Sequence, residues 1–200
     1  MKKSKAKEFG LRVSLVTALF ALLTIGAASF RQPNVQASSE CSADCQQQLV
    51  LAMMATAQYH NESKARADGF ISTFDCVEAP GLGAMGIHYI NPFRMMDINV
   101  DVTQPEALLY LPQNDGTNRL VGMEYVVPVL SNGAPWFGGP TNPPPAIDNL
   151  APVLFGQTFD GPMPGHTPGQ PWHYDLHVWA WQNNPSGLFF PFNPKLRCQQ

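Results

Sequence analysis

The sequence predicts an α+β domain, with N-terminal helices packed on an antiparallel twisted sheet or partly closed β-barrel and a long Pro/Gly-rich loop set into the sheet. Three observations carry this. A stretch free of Gly and Pro with helical periodicity comes first, and short runs of β-branched and aromatic residues follow Pro80. No helical stretch long enough for a parallel crossover separates those later runs, which favours antiparallel pairing.

The chain opens on Lys2, Lys3, Lys5 and Lys7, followed by a charge-free apolar run from Val13 to Phe30 and the small-residue site Val35-Gln36-Ala37. This order predicts a secretory signal peptide over residues 1–37 and a secreted domain over residues 38–200. The competing expectation is a retained membrane anchor, since a run of that length just spans a bilayer core of about 30 Å. Cleavage is favoured by the small residues before the cut, and it leaves no stable membrane anchor. Glu40 directly before Cys41 argues against a lipoprotein cysteine.

Residues 42–68 read as helical. Leu49, Met53 and Ala57 recur at i, i+4 and i+8, Ser42 is placed to cap the start, and Asp44 lies near the positive end of the helix dipole. Asn61 is the expected cap of a second short helix that ends before Gly69, and the Met and Tyr residues of this region read as core packing. From residue 84 to 198 the chain is β-rich, with strands expected over 85–90, 107–111, 120–129 and 173–181. Gln113-Asn114-Asp115-Gly116 supplies the turn of a hairpin. Residues 131–171 contain Gly138-Gly139-Pro140, Pro143-Pro144-Pro145 and Gly161-Pro162-Met163-Pro164-Gly165, which withhold backbone donors from a sheet. They read as a long loop, with a short strand inside it over 153–159.

The four cysteines allow two disulfides in three connectivities, and the exported chain keeps them oxidised. The expected pairs are Cys41–Cys45 and Cys76–Cys198. Zinc binding by the four thiols is disfavoured, because their spacing lacks two close Cys-x-x-Cys pairs.

The full chain carries 12 Lys and Arg against 15 Asp and Glu; removing residues 1–37 takes six of the cations and one anion, leaving a net charge of −8. A field of that sign repels phosphate backbones, so nucleic acid is not an expected partner. Charged residues make up only 14% of a chain that is 44% hydrophobic, which fits a packed core rather than a disordered tail.

In so uncharged a chain, polar residues inside apolar strands stand out. Along Trp172-His173-Tyr174-Asp175-Leu176-His177-Val178-Trp179-Ala180-Trp181 the strand period places His173, Asp175, His177, Trp179 and Trp181 on one face. His173 and His177 are then about 13 Å apart, too far to share one ion easily, whereas Asp175 is about 6.6 Å from each. His88 and Glu124 interrupt two other apolar strands and would be costly to bury alone. If the three strands are neighbours, His88, Glu124 and two of His173, Asp175 and His177 form a nitrogen and oxygen set suited to zinc or copper. The same set could act without metal, with Glu124 and His88 as the acid–base pair.

Other readings stay open at this point. Glu124 can form a buried ion pair with Arg119, Arg94 or a histidine, in a non-enzymatic cell-envelope or extracellular structural or interaction protein whose polar network only specifies the fold. Trp172, Trp179 and Trp181 can form a stacking surface in a carbohydrate-binding module, with a glycan as ligand. His60 and His166 read as surface residues, and His166 as a contact of a lid. Nucleophile-elbow, phosphate-loop and His-Glu-x-x-His signatures are absent.

The segments Gly86-Ile87-His88-Tyr89-Ile90-Asn91-Pro92, Pro105-Glu106-Ala107-Leu108-Leu109-Tyr110, Gly122-Met123-Glu124-Tyr125-Val126-Val127-Pro128 and His173-Tyr174-Asp175-Leu176-His177-Val178-Trp179 resemble those of a group of exported bacterial proteins of unassigned function. So do Asn184-Pro185-Ser186-Gly187 and Phe192-Asn193-Pro194. The resemblance spans most of the chain beyond the leader. It implies export and a single domain, and it carries over no catalytic residue.

Overall fold

In the computed structural model, which describes residues 41–198, Ser42 caps helix α1 (Ala43–Thr56) by accepting the Cys45 N–H at 3.3 Å. The leader expected over residues 1–37 lies outside the described residues. Cys45, Leu49, Ala52, Met53 and Thr56 form the buried stripe of α1. The stripe continues at Thr56 rather than at the anticipated Ala57, because the chain tightens there into a 3₁₀ turn (Ala57–His60) that turns Ala57 to solvent and Tyr59 inward. Helix and turn together make one helix of 18 residues. Asn61 then caps α2 (Glu62–Ala67), its side chain accepting the Ser63 N–H at 3.1 Å.

Strand formation starts earlier than the composition shift at Pro80. β1 (Ile71–Ala79) precedes that residue and pairs with β2 (Gly83–Ile90). Its alternation was hidden because the register slips between Ser72 and Cys76, where Phe74 takes a positive φ of 68°, so no simple period of two runs through it. β3 (Ala107–Pro112) and β4 (Asn118–Pro128) form the hairpin expected from the Asp-Gly turn.

The Pro/Gly-rich stretch is not structureless. It carries two small ribbons, β5 (Leu130–Ser131) with β6 (Ala134–Pro135) and β7 (Val153–Leu154) with β8 (Gln157–Thr158). It then supplies β9 (Asp160–Met163), the edge partner of β10 (His173–Val178). Gly161 allows this: its φ is +118°, and a Cβ there would lie 2.8 Å from the His173 carbonyl oxygen. β10 ends at Val178 rather than at Trp181, because the Trp179 N–H leaves the sheet to donate to the Leu188 carbonyl.

The six longer strands run β1-β2-β3-β4-β10-β9, every neighbouring pair antiparallel, in a sheet curled into a half-barrel. The fold is mostly sheet with few helices, within the antiparallel arrangement anticipated. One face holds Tyr89, Tyr110 and Tyr125 and looks to the helices: the Tyr110 hydroxyl donates to the Tyr59 carbonyl, and the Tyr89 hydroxyl donates to Glu62. The other face carries His88, Glu124, Asp175 and His177, and both sheet edges contribute to the cavity above it.

Two disulfides close the structure, pairing Cys41 with Cys45 and Cys76 with Cys198, with Cα–Cα distances of 5.2 and 5.8 Å. The second ties the C-terminal segment to β1. That segment also pairs Asn193 with Ala84, which seats Pro191 and Phe192 as one wall of the cavity. Bridges of this kind favour an oxidising extracellular compartment. Among the described residues, no helix is long and apolar enough to cross a membrane.

Candidate metal centre

The pairing of β4 with β10 sets His177 directly opposite Glu124. His88 reaches the same carboxylate across β3, whose Leu109 pairs with both His88 and Gly122 and whose Ala107 pairs with both Ile90 and Glu124. Gly122 is required sterically, since a Cβ would lie 2.8 Å from the Val178 carbonyl oxygen.

Glu124 is thereby flanked at both oxygens. His88 Nε2 lies 3.5 Å from Oε2, and His177 Nε2 lies 3.9 Å from Oε1. The two imidazoles stand edge to face, with centroids 6.1 Å apart. All three residues are buried, and one ligand atom of each falls within 4.8 Å of the others, so the group could hold a metal ion. Ligand atoms around a tetrahedral zinc with bonds near 2.0–2.2 Å stand roughly 3.3–3.6 Å apart. The His88 contact already meets that separation, and the His177 contact needs a few tenths of an ångström.

The remaining predicted residues split from this set. His173 and Asp175 lie further along β10, with His173 Nε2 3.8 Å from Asp175 Oδ2. The imidazole that joins them is His166, whose ring centroid is 5.0 Å from that of His173. His166 is exposed, as a surface residue should be, but it faces the pocket instead of open solvent alone. The convergence expected of His88 and Glu124 with two of the three β10 residues is therefore met by His177 alone among the imidazoles. Asp175 falls with His166 and His173 instead, near enough to Glu124 for each carboxyl to affect the other's protonation.

Protonation follows from burial. Desolvation depresses His88 to about 4 and His177 well below the usual imidazole range, so both rings are neutral and have a lone pair to give. Desolvation also raises Glu124, and the neighbouring Asp175 adds to the effect; Asp175 is itself raised by burial. Two buried carboxyls this close do not both ionise readily, so the pair holds a proton more tightly than either group would alone. The anticipated ion pair of Glu124 with Arg94 or Arg119 does not form: Arg94 donates to the Pro105 carbonyl and Arg119 to Gln182.

Glu106 is a buried carboxyl that sequence reasoning did not assign. Its Oε2 accepts the Val126 N–H at 2.9 Å, and burial pushes it up to about 8. A lone charge abutting the apolar run Ala107–Leu111 was the available signal. The tryptophans turn away from the pocket. Trp172 and Trp179 are buried, with their indole N–H groups donating to the Gly138 and Phe190 carbonyls, and Trp181 meets the His60 ring edge to face at 4.5 Å. They form no exposed stacking platform.

The cavity above the centre measures about 540 Å³. Its walls are apolar at Val77, Met85, Ile90, Met163 and Phe192, and acidic at Asp75 and Asp160; among the described residues no Lys or Arg lines it. Fold and site together define a disulfide-stapled half-barrel whose buried histidine and carboxylate groups can hold a metal ion. The chain matches no protein-family model, no curated protein and no solved structure.

Proposed function

We propose that this is an exported domain that binds zinc or copper on His88, Glu124 and His177 and presents the ion to a small molecule in the cavity. The observation that carries the reading is His177. Both of its ring nitrogens are buried without a hydrogen-bond partner among the described residues, and one faces the Glu124 carboxylate. Native structures rarely leave such groups unsatisfied, and a bound ion removes the penalty.

Three protein ligands beneath an open cavity leave a coordination position for water or a ligand, as catalytic rather than structural zinc sites do. Hydrolysis by a metal-activated water is the reaction such a centre supports. The apolar walls and absence of Lys and Arg favour a neutral or cationic small molecule over an anion. Export is supported by the leader, by the two disulfides and by the resemblance to exported bacterial proteins of unassigned function.

Metal analysis of untagged protein tests the reading. Stoichiometric zinc or copper in the wild type, with the equivalent held by His88 and His177 lost in a His88→Ala/His177→Ala double variant, supports it. A metal-free wild type that also ignores added zinc and copper refutes it.

A second reading has its own observation, the proximity of the buried Glu124 and Asp175 carboxyls, each of which affects the other's protonation. In a non-enzymatic envelope or extracellular protein such a network would only specify the fold. That reading expects a large stability loss from Glu124→Ala and no response to metal.

A further inference from the structure

We propose that His166, His173 and Asp175 form a second metal site, so that the cavity holds two divalent transition-metal ions. The inference goes beyond the single-ion reading above and stands on separate ligands.

The first ground is geometric: one ligand atom from each of the three residues lies within 4.8 Å of the others. The second is the orientation of His173, which is 0% exposed. Its Nδ1 sits 3.1 Å from the Pro171 carbonyl oxygen, an acceptor, so the ring proton belongs on Nδ1. Nε2 then bears the lone pair. It has no hydrogen-bond partner among the described residues and faces Asp175 Oδ2 at 3.8 Å, too far for a hydrogen bond. Two buried acceptors aimed at one another repel unless a cation lies between them. A backbone carbonyl holding the far nitrogen is also how metal-binding imidazoles are kept in register.

Asp175 adds a third ground, because its Oδ1 is likewise buried and without a hydrogen-bond partner among the described residues. The last ligand is brought by the loop before β10. The His166 and Thr167 N–H groups both donate to Gln170 Oε1, at 2.7 and 3.3 Å, and this turn sets the His166 ring against His173. His166 is exposed, so the second site opens to solvent through it.

Zinc titration of the untagged full secreted chain, followed calorimetrically and by metal analysis after gel filtration, decides the matter. Two equivalents in the wild type are expected, with one equivalent remaining in His166→Ala and one in His177→Ala. His166 is a surface residue, so its variant keeps the fold even where His173→Ala does not, and circular dichroism verifies this. A single wild-type equivalent that survives His166→Ala but not His177→Ala overturns the second site and leaves the inner centre standing. A single equivalent with the opposite dependence overturns the inner centre and the two-ion arrangement together. No bound zinc in the wild type overturns both.

Discussion

Glu124 and His177 stand directly opposite one another on adjacent antiparallel strands, with His177 Nε2 3.9 Å from Glu124 Oε1. A cross-strand pair on a buried face is normally apolar or hydrogen-bonded. This pair is neither, and a bound metal ion would remove the cost of keeping it.

Replacing His177 with leucine separates binding from folding. A buried polar atom without a partner costs about 1–3 kcal/mol, so His177→Leu is expected to match or exceed the wild type in stability when both are metal-free. Saturating zinc should raise the wild-type melting temperature, by the equivalent of about 2.7 kcal/mol per site at a hundredfold excess over Kd, and raise that of the variant by less, since only the His166, His173 and Asp175 set is left to bind. Differential scanning calorimetry with and without zinc measures both. A variant far less stable than the metal-free wild type would favour the fold-specifying network instead.

Gly122→Ala tests how the strands position the centre. The added methyl would press on the Val178 carbonyl, in the β4–β10 pairing that aligns Glu124 with His177. Overpacking of this kind costs about 1–3 kcal/mol. Zinc affinity should fall alongside thermal stability, although no ligand has been changed; unaltered affinity would show that the centre tolerates displacement of its strands.

Glu106 governs a pH dependence away from the ligands. Its pKa in the folded chain, about 8, lies above the ordinary value of 4.5, so the native state holds this proton more tightly than the unfolded state. The resulting stabilisation is complete below the ordinary value and is lost as pH rises through the folded one. Glu106→Gln keeps an acceptor for the Val126 N–H and removes the titration. The variant should therefore be more stable than the wild type at about pH 9 and nearly equal to it at about pH 4, by thermal melts across that range. Parallel curves for the two proteins would contradict this.

The disulfides should contribute unequally. Chain entropy assigns about 5 kcal/mol to a loop as long as that between Cys76 and Cys198, and about 2 kcal/mol to the short loop between Cys41 and Cys45. Denaturant titration of Cys76→Ser/Cys198→Ser against Cys41→Ser/Cys45→Ser measures the difference. The first variant should also loosen the cavity wall at Pro191 and Phe192, seen as faster exchange of the adjoining Asn193 amide, which donates to the Ala84 carbonyl.

Much of this was legible in the chain before folding. Ser42 and Asn61 mark helix starts because a short acceptor followed by helix formers satisfies free N–H groups locally. His88, Glu124 and the β10 residues stood out because ionisable groups inside apolar strands require a reason. The spacing of His173 and His177 already indicated that the two do not easily share one ion. β1 was hidden because its bulge at Phe74 destroys the period of two. His166 was read as surface because only tertiary folding brings a Pro/Gly loop against His173, and no spacing encodes that approach. The partition of the ligands follows from register, which depends on the pairing of distant strands.

The most direct measurement is anomalous diffraction at the zinc and copper edges from crystals of untagged protein grown with the metal. The account predicts a peak bonded to Nε2 of both His88 and His177 and to a Glu124 oxygen, at about 2.0–2.2 Å from each. An anomalous map with no density among these three side chains, from protein whose pocket is otherwise as described, would contradict it.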